Sequence, residues 1–172
     1  KCNKLLAYRD WEVPCVKGSA ANEAIGQHIH IGSRDLERGG TVGWDRMRQK
    51  IGFNIKKMLP FLAAIYANDI SSEGPTKSMR GEAGEYCSAT DYRSQIVWDH
   101  HREICMSDHD TVEIRLFDAN IPQVALTVAR ILQAIAKGTI ERGINPVAPF
   151  GNEYAKERKH ALKHGVERID TN

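Results

Sequence analysis

Four side chains on two short stretches have the types and spacing to do chemistry together. In "GQHIHIG", residues 26–32, His28 and His30 stand two apart; in "TVEIRLFD", residues 111–118, Glu113 and Arg115 do the same. In extended chain, alternate side chains share a face. His28 and His30 therefore point one way, with Ile29 and Ile31 pointing the other. Val112, Ile114 and Leu116 likewise oppose Glu113 and Arg115. One reading is two half-buried strands with ordinary polar faces, Glu113 and Arg115 forming a weak exposed ion pair worth about 0–1 kcal/mol. The other is a metal or phosphate site lined by one face of a sheet. A His and a Glu together can hold a divalent cation, and an Arg two residues from that Glu can grip a carboxylate or phosphate bidentately. If both strands belong to one sheet, all four side chains gather on one polar face.

The elements that must position them follow from periodicity. Trp44, Met47, Ile51, Ile55, Met58, Leu62 and Ile65 recur at spacings of three and four, predicting an amphipathic helix over 42–68 that Pro60 kinks or splits. Residues 71–93 are rich in Gly, Ser and Thr and read as a loop. Two or three strands follow between 94 and 118. A second helix is expected over 121–137, with Asn120 as N-cap, Pro122 in the first turn, Gly138 as the stop, and Val124, Val128, Ile131, Leu132 and Ile135 as its buried stripe. Asn152 suits the cap of a final charged helix from Glu153 to His164, read as mostly solvated and without chemistry. The expected class is α+β: one domain over 1–172, an antiparallel sheet with a polar concave face carrying the site, and helices packed on the other face.

Composition narrows the function. A net charge of +2 gives no electrostatic case for nucleic acid, and no basic face or stacking platform is visible. No apolar run reaches the roughly 18 residues of a membrane span, and no signal peptide is recognisable. Cys2, Cys15, Cys87 and Cys105 form no CxxC pair and are expected as free thiols in a reducing compartment, the cytoplasm. A zinc site drawn from Cys87, Cys105 and some of His100, His101 and His109 matches no established zinc spacing. The chain starts at Lys1, and "KCNKLLAYRDWEVPC" reads like the middle of a protein.

As a set, "GQHIHIGS", "MRGEAGEYC" and "TVEIRLFDANIPQVALTVARILQAIA" resemble the glutamine synthetase and glutamate–cysteine ligase superfamily of carboxylate–amine ligases, nearest to the amidoligase branch with its phage-type COOH–NH2 ligases. The likeness spans residues 26–137. It implies a glutamine synthetase-like catalytic domain that uses ATP with Mg²⁺ or Mn²⁺ to join a small-molecule or peptide carboxylate to an amine through an acyl phosphate. It implies His28 and Glu113 as metal ligands, His30 as a nucleotide-phosphate contact, and Arg115 as the group on the substrate carboxylate or transferring phosphoryl. Arg80 and, more distantly, Arg93 would be further phosphate or substrate contacts. The superfamily also carries a Glu-x-Glu strand well upstream of His-x-His. Here only Asp10, Glu12 and Glu23 precede it, and Glu12 is the candidate for one of those acidic ligands. The alternative is a non-catalytic structural or virion protein that keeps the fold. A metal-dependent hydrolase on a barrel needs a longer chain. Neither the substrate pair nor the oligomeric state is legible, and a homo-oligomer is allowed.

Overall fold

The computed structural model describes residues 26–32, 41–67, 70–71, 74–75, 87, 95–118, 122–145 and 151–164. Strand β1 (Gly26–Ile31) is followed by helix α1 (Thr41–Leu62), which widens into a π-helical turn at Ala63–Ala67. A short ladder, β2 (Ile70–Ser71) with β3 (Gly74–Pro75), precedes β4 (Ile104–Met106) and β5 (Val112–Asp118). Helix α2 (Pro122–Arg142) and, after a 3₁₀ turn at Gly151–Glu153, helix α3 (Tyr154–His164) complete the described elements. This is an α+β arrangement: an antiparallel three-stranded sheet in the order β1-β5-β4, with α1 and α2 packed against it and each other. Among the described residues no helix is long and apolar enough to cross a membrane.

The period-two alternation of β1 and β5 and the helical stripes bury one shared core. Ile114, Val112 and Leu116 meet Ile51, Ile55, Leu59, Val128 and Leu132, with Ile29 and Ile31 packed against the cluster. Each fully buried aliphatic side chain there contributes about 1.5–3 kcal/mol. Strand β5 is central and carries a bulge. Gln27 pairs with Phe117 and Ile29 with Ile114, so Arg115 and Leu116 together span the position opposite His28. Strict alternation would set Phe117 on the polar side with Glu113 and Arg115. The bulge moves it opposite Gln27, on the side of Ile29, and Phe117 joins the core.

Three helix expectations are corrected. Pro60 does not split the first helix; α geometry continues to Leu62 and gives way at Ala63, where the turn widens. A proline removes one backbone donor, and packing of Leu59, Leu62 and Ala63 into the core outweighs that loss. Gly138 is not the stop of the second helix, which runs on to Arg142 and ends at Gly143 in the left-handed region (φ 62°). Gly138 instead lets the chain fold back over the helix. A Cβ there would lie 3.0 Å from Ile144 Cδ1, and the Ile144 N–H donates to the Gly138 carbonyl at 3.2 Å. The buried Asn54 of α1 fixes the same turn, donating to Thr139 Oγ1 (2.9 Å) and the Ile144 carbonyl (2.8 Å).

The final helix, expected to be mostly solvated, is anchored by a buried polar cluster. Arg158 of α3 pairs with Glu103, which is fully buried just before β4. Tyr154 Oη donates to Glu103 Oε1 (2.6 Å), and Arg158 Nη2 donates to the Cys87 carbonyl (2.5 Å). Burial works against the Arg158 charge, but Glu103 outweighs it and raises its pKa. Lone charged letters in a polar helix gave no sign of this, because the partner lies far away in sequence.

Candidate functional site around Glu113

The polar face of the sheet is organised across its strands. His30 of β1 is the register partner of Glu113 on β5, and Glu113 is the register partner of Cys105 on β4. His28 and Arg115 lie along the same strands, two residues from His30 and Glu113. Glu113 is 3% exposed, yet polar groups surround its carboxylate. Oε1 lies 2.8 Å from His28 Nδ1, 3.9 Å from His30 Nε2 and 2.7 Å from Arg115 Nη1. Oε2 accepts from Cys105 Sγ at 3.4 Å and lies 3.8 Å from His100 Nδ1.

The surroundings orient these groups. The hairpin turn joining β4 to β5 is closed by the Ser107 N–H on the Thr111 carbonyl (3.0 Å), with Asp110 in the left-handed region (φ 55°), which Asp tolerates. Helix α1 pins this turn: Trp44 Nε1 donates to the Asp110 carbonyl (3.0 Å) and Arg48 reaches its carboxylate (3.4 Å). Thr111, so held, pairs its hydroxyl with Ser107 Oγ (2.7 Å) and with His30 Nδ1 (2.8 Å). With Nδ1 engaged by Thr111, the other ring nitrogen of His30, Nε2, faces Glu113. The His109 ring packs edge-on to His30, 5.8 Å between centroids.

Burial pushes the Glu113 carboxyl up, but the Arg115 charge, the Cys105 thiol donation and His28 outweigh it and hold the group below the usual carboxylate range. Burial and then the Glu113 charge push the Cys105 thiol up to about 12. The face thus presents an ionised carboxylate in contact with imidazoles. Ligand atoms in one coordination shell, each about 2.0–2.2 Å from the ion, stand roughly 3–3.5 Å apart; His28 Nδ1, 2.8 Å from Glu113 Oε1, is near that spacing, whereas His30 Nε2, at 3.9 Å, lies beyond it. His28 Nδ1 and Glu113 Oε1 are a close nitrogen–oxygen pair, and the Arg115 guanidinium donates to the same oxygen.

His28, His30, Glu113 and Arg115 are therefore brought together as their two-residue spacings suggested. Arg115, read as a substrate group, also bridges to Glu113. Glu12, Arg80 and Arg93, together with Asp10 and Glu23, lie outside the described residues. Cys87 is buried beside Arg158 and takes no part in the face. Sequence reasoning overlooked Thr111 and Ser107, and grouped Cys105 and His100 with Cys87 rather than with Glu113. The signal for Cys105 is the Ser-Asp-His-Asp turn at 107–110, which sets Cys105 across from Glu113 once the two strands are paired. No family model, curated protein or solved structure matches the chain.

Proposed function

We propose that this face binds ATP with Mg²⁺ or Mn²⁺ and that the protein is a carboxylate–amine ligase on a glutamine synthetase-like sheet. The carrying observation is the convergence of His28 Nδ1, His30 Nε2 and Arg115 Nη1 on one oxygen of Glu113. The sequence resemblance over residues 26–137 supports the same reading. His28 and Glu113 hold the cation, and a His in the shell tilts the choice towards Mn²⁺. The cation, when bound, neutralises phosphate charge. A substrate carboxylate oxygen attacks the γ-phosphorus of ATP, releasing ADP and leaving an acyl phosphate. The amine then attacks the acyl carbon and expels phosphate, its proton passing to solvent. Such chemistry is mostly positioning and charge neutralisation, so the absence of an activated nucleophile on the described face is in keeping with it. Arg115 stabilises the charge as the acyl phosphate forms, His30 contacts nucleotide phosphate, and on the resemblance Glu12 adds a ligand while Arg80 and Arg93 contact phosphate or substrate. The compartment that suits this activity and the free thiols is the cytoplasm.

The test has two parts. Calorimetric titration with MnATP should show binding that His28→Ala weakens by at least about tenfold; equal affinity rules the ligand role out. ADP release is then followed with panels of carboxylates and amines. A second reading, a non-catalytic structural or virion protein that keeps the fold, is favoured by Arg115 being turned onto Glu113 rather than outward. Binding of MnATP without ADP release from any pair would select it.

A further inference from the structure

The second oxygen of Glu113 belongs to a different donor set. Its neighbours are Cys105 Sγ at 3.4 Å and His100 Nδ1 at 3.8 Å, and the three ligating atoms all lie within 4.8 Å of one another. Tetrahedral zinc, with Zn–S about 2.3 Å and Zn–N and Zn–O about 2.0–2.2 Å, needs ligand atoms roughly 3.4–3.6 Å apart. Two of the observed separations already match to within a few tenths of an ångström. The third closes by a small movement of His100, whose side chain is half-exposed.

The set is also built. Cys105 and Glu113 are register partners on β4 and β5, fully buried and nearly so, so their separation is fixed by the ladder. His28 and Arg115 hold Oε1, which aims Oε2 at Cys105 and His100. The loop that carries His100 is braced by Asp99, which accepts from the His101 N–H (3.0 Å) and from Arg102 Nε (2.8 Å). Trp98 meets the His100 ring edge-on, 5.8 Å between centroids.

We propose that His100, Cys105 and Glu113 Oε2 form a zinc site with three protein ligands and one position open to solvent. A thiolate with an imidazole selects zinc over magnesium or manganese, which prefer oxygen. On binding, the Zn–S bond forms as the Cys105 S–H bond breaks, and its proton, which in the structure is directed at Glu113 Oε2, leaves to solvent. The site goes beyond the ligase reading. It uses the other carboxylate oxygen and takes no ligand from His28 or His30, so either assignment stands if the other fails.

Cobalt substitution reads this directly, because Co²⁺ bound by thiolate gives a charge-transfer band in the near ultraviolet and tetrahedral Co²⁺ gives intense visible bands. The full chain titrated with Co²⁺ should show both, with about one equivalent displaced by Zn²⁺. Cys105→Ser should abolish the thiolate band, while Cys87→Ser, at a cysteine outside the donor set, keeps it. His100→Ala replaces an exposed side chain, so the fold is retained, and zinc affinity measured against a chromophoric chelator should drop by about tenfold or more. A titration with no thiolate band, a band that survives Cys105→Ser, or unchanged zinc affinity in His100→Ala would overturn the site.

Discussion

Glu113 is a single carboxylate asked to satisfy opposite sides of one sheet face. Its Oε1 is shared by His28, His30 and Arg115, and its Oε2 by Cys105 and His100. Removing its charge leaves Arg115 beside a neutral group in a mostly buried position, so Glu113→Gln should lower stability as well as metal affinity. Arg115 behaves differently. Arg115→Lys keeps the charge and loses the planar fork that reaches a carboxylate at two points. Its stem stays on the polar face, so turnover should suffer more than folding. The check pairs ADP release with thermal melts: a fall in melting temperature as large as that of Ile131→Ala, with turnover untouched, would make Arg115 a purely structural residue. Tyr154 gives a residue-scale pH effect. Burial first, and the Glu103 charge second, push its phenol well above the ordinary value of 10.0. The folded state then holds the proton after the unfolded chain has begun to lose it. The stabilisation is full below pH 10 and is lost as pH rises towards the folded pKa. Denaturant midpoints should fall above about pH 10, and Tyr154→Phe should flatten that alkaline limb.

At the scale of elements, the two strands and two long helices were legible because each buries a continuous periodic stripe. Val128 and Leu132 are in the core and Val124, Ile131 and Ile135 pack against it, as the three-and-four spacing requires. The strand pairing could be guessed from shared face chemistry, but its register could not: the bulge opposite His28 depends on how Leu116 and Phe117 both reach the core. The end of α2 was misread because two glycines compete, and local signals do not say that Gly138 is needed for the close approach of Ile144 while Gly143 supplies the turn. The docking of α3 was invisible because it rests on Glu103, an acid within an otherwise ordinary loop. Breaking that buried pair has a large expected cost. Arg158→Ala leaves Glu103 charged and uncompensated, a loss of about 3–5 kcal/mol. Replacing both partners, with Glu103→Leu and Arg158→Met, should recover much of it. Urea unfolding of the single and double variants measures this, and equal losses in both would show that packing of α3, not the charge pair, carries the energy.

For the molecule as a whole, β5 is the shared wall of core and site. Its Ile114 is fully buried and pairs with both Ile29 and Ile104, one on each neighbouring strand. Ile114→Ala should therefore cost about 2–5 kcal/mol, whereas Leu126→Ala on the exposed face of α2 should stay within about 0.5 kcal/mol. Chemical denaturation separates the two, and comparable losses would mean that the sheet is not the centre of cooperative folding.

The ladder between β1 and β5 also governs when the face can exist. His30 and the Thr111 that orients it stand 81 positions apart. A growing chain carries both histidines long before it has made Thr111 or Glu113, and the loop between them must close before the ladder repays its entropy. On the proposed reading, cation capture at this face would be a late event of biogenesis: a ribosome-bound fragment stopped before Glu113 has the imidazoles in sequence but no shared oxygen to converge on, so a metal bound there would report that the first and last strands of the sheet have met.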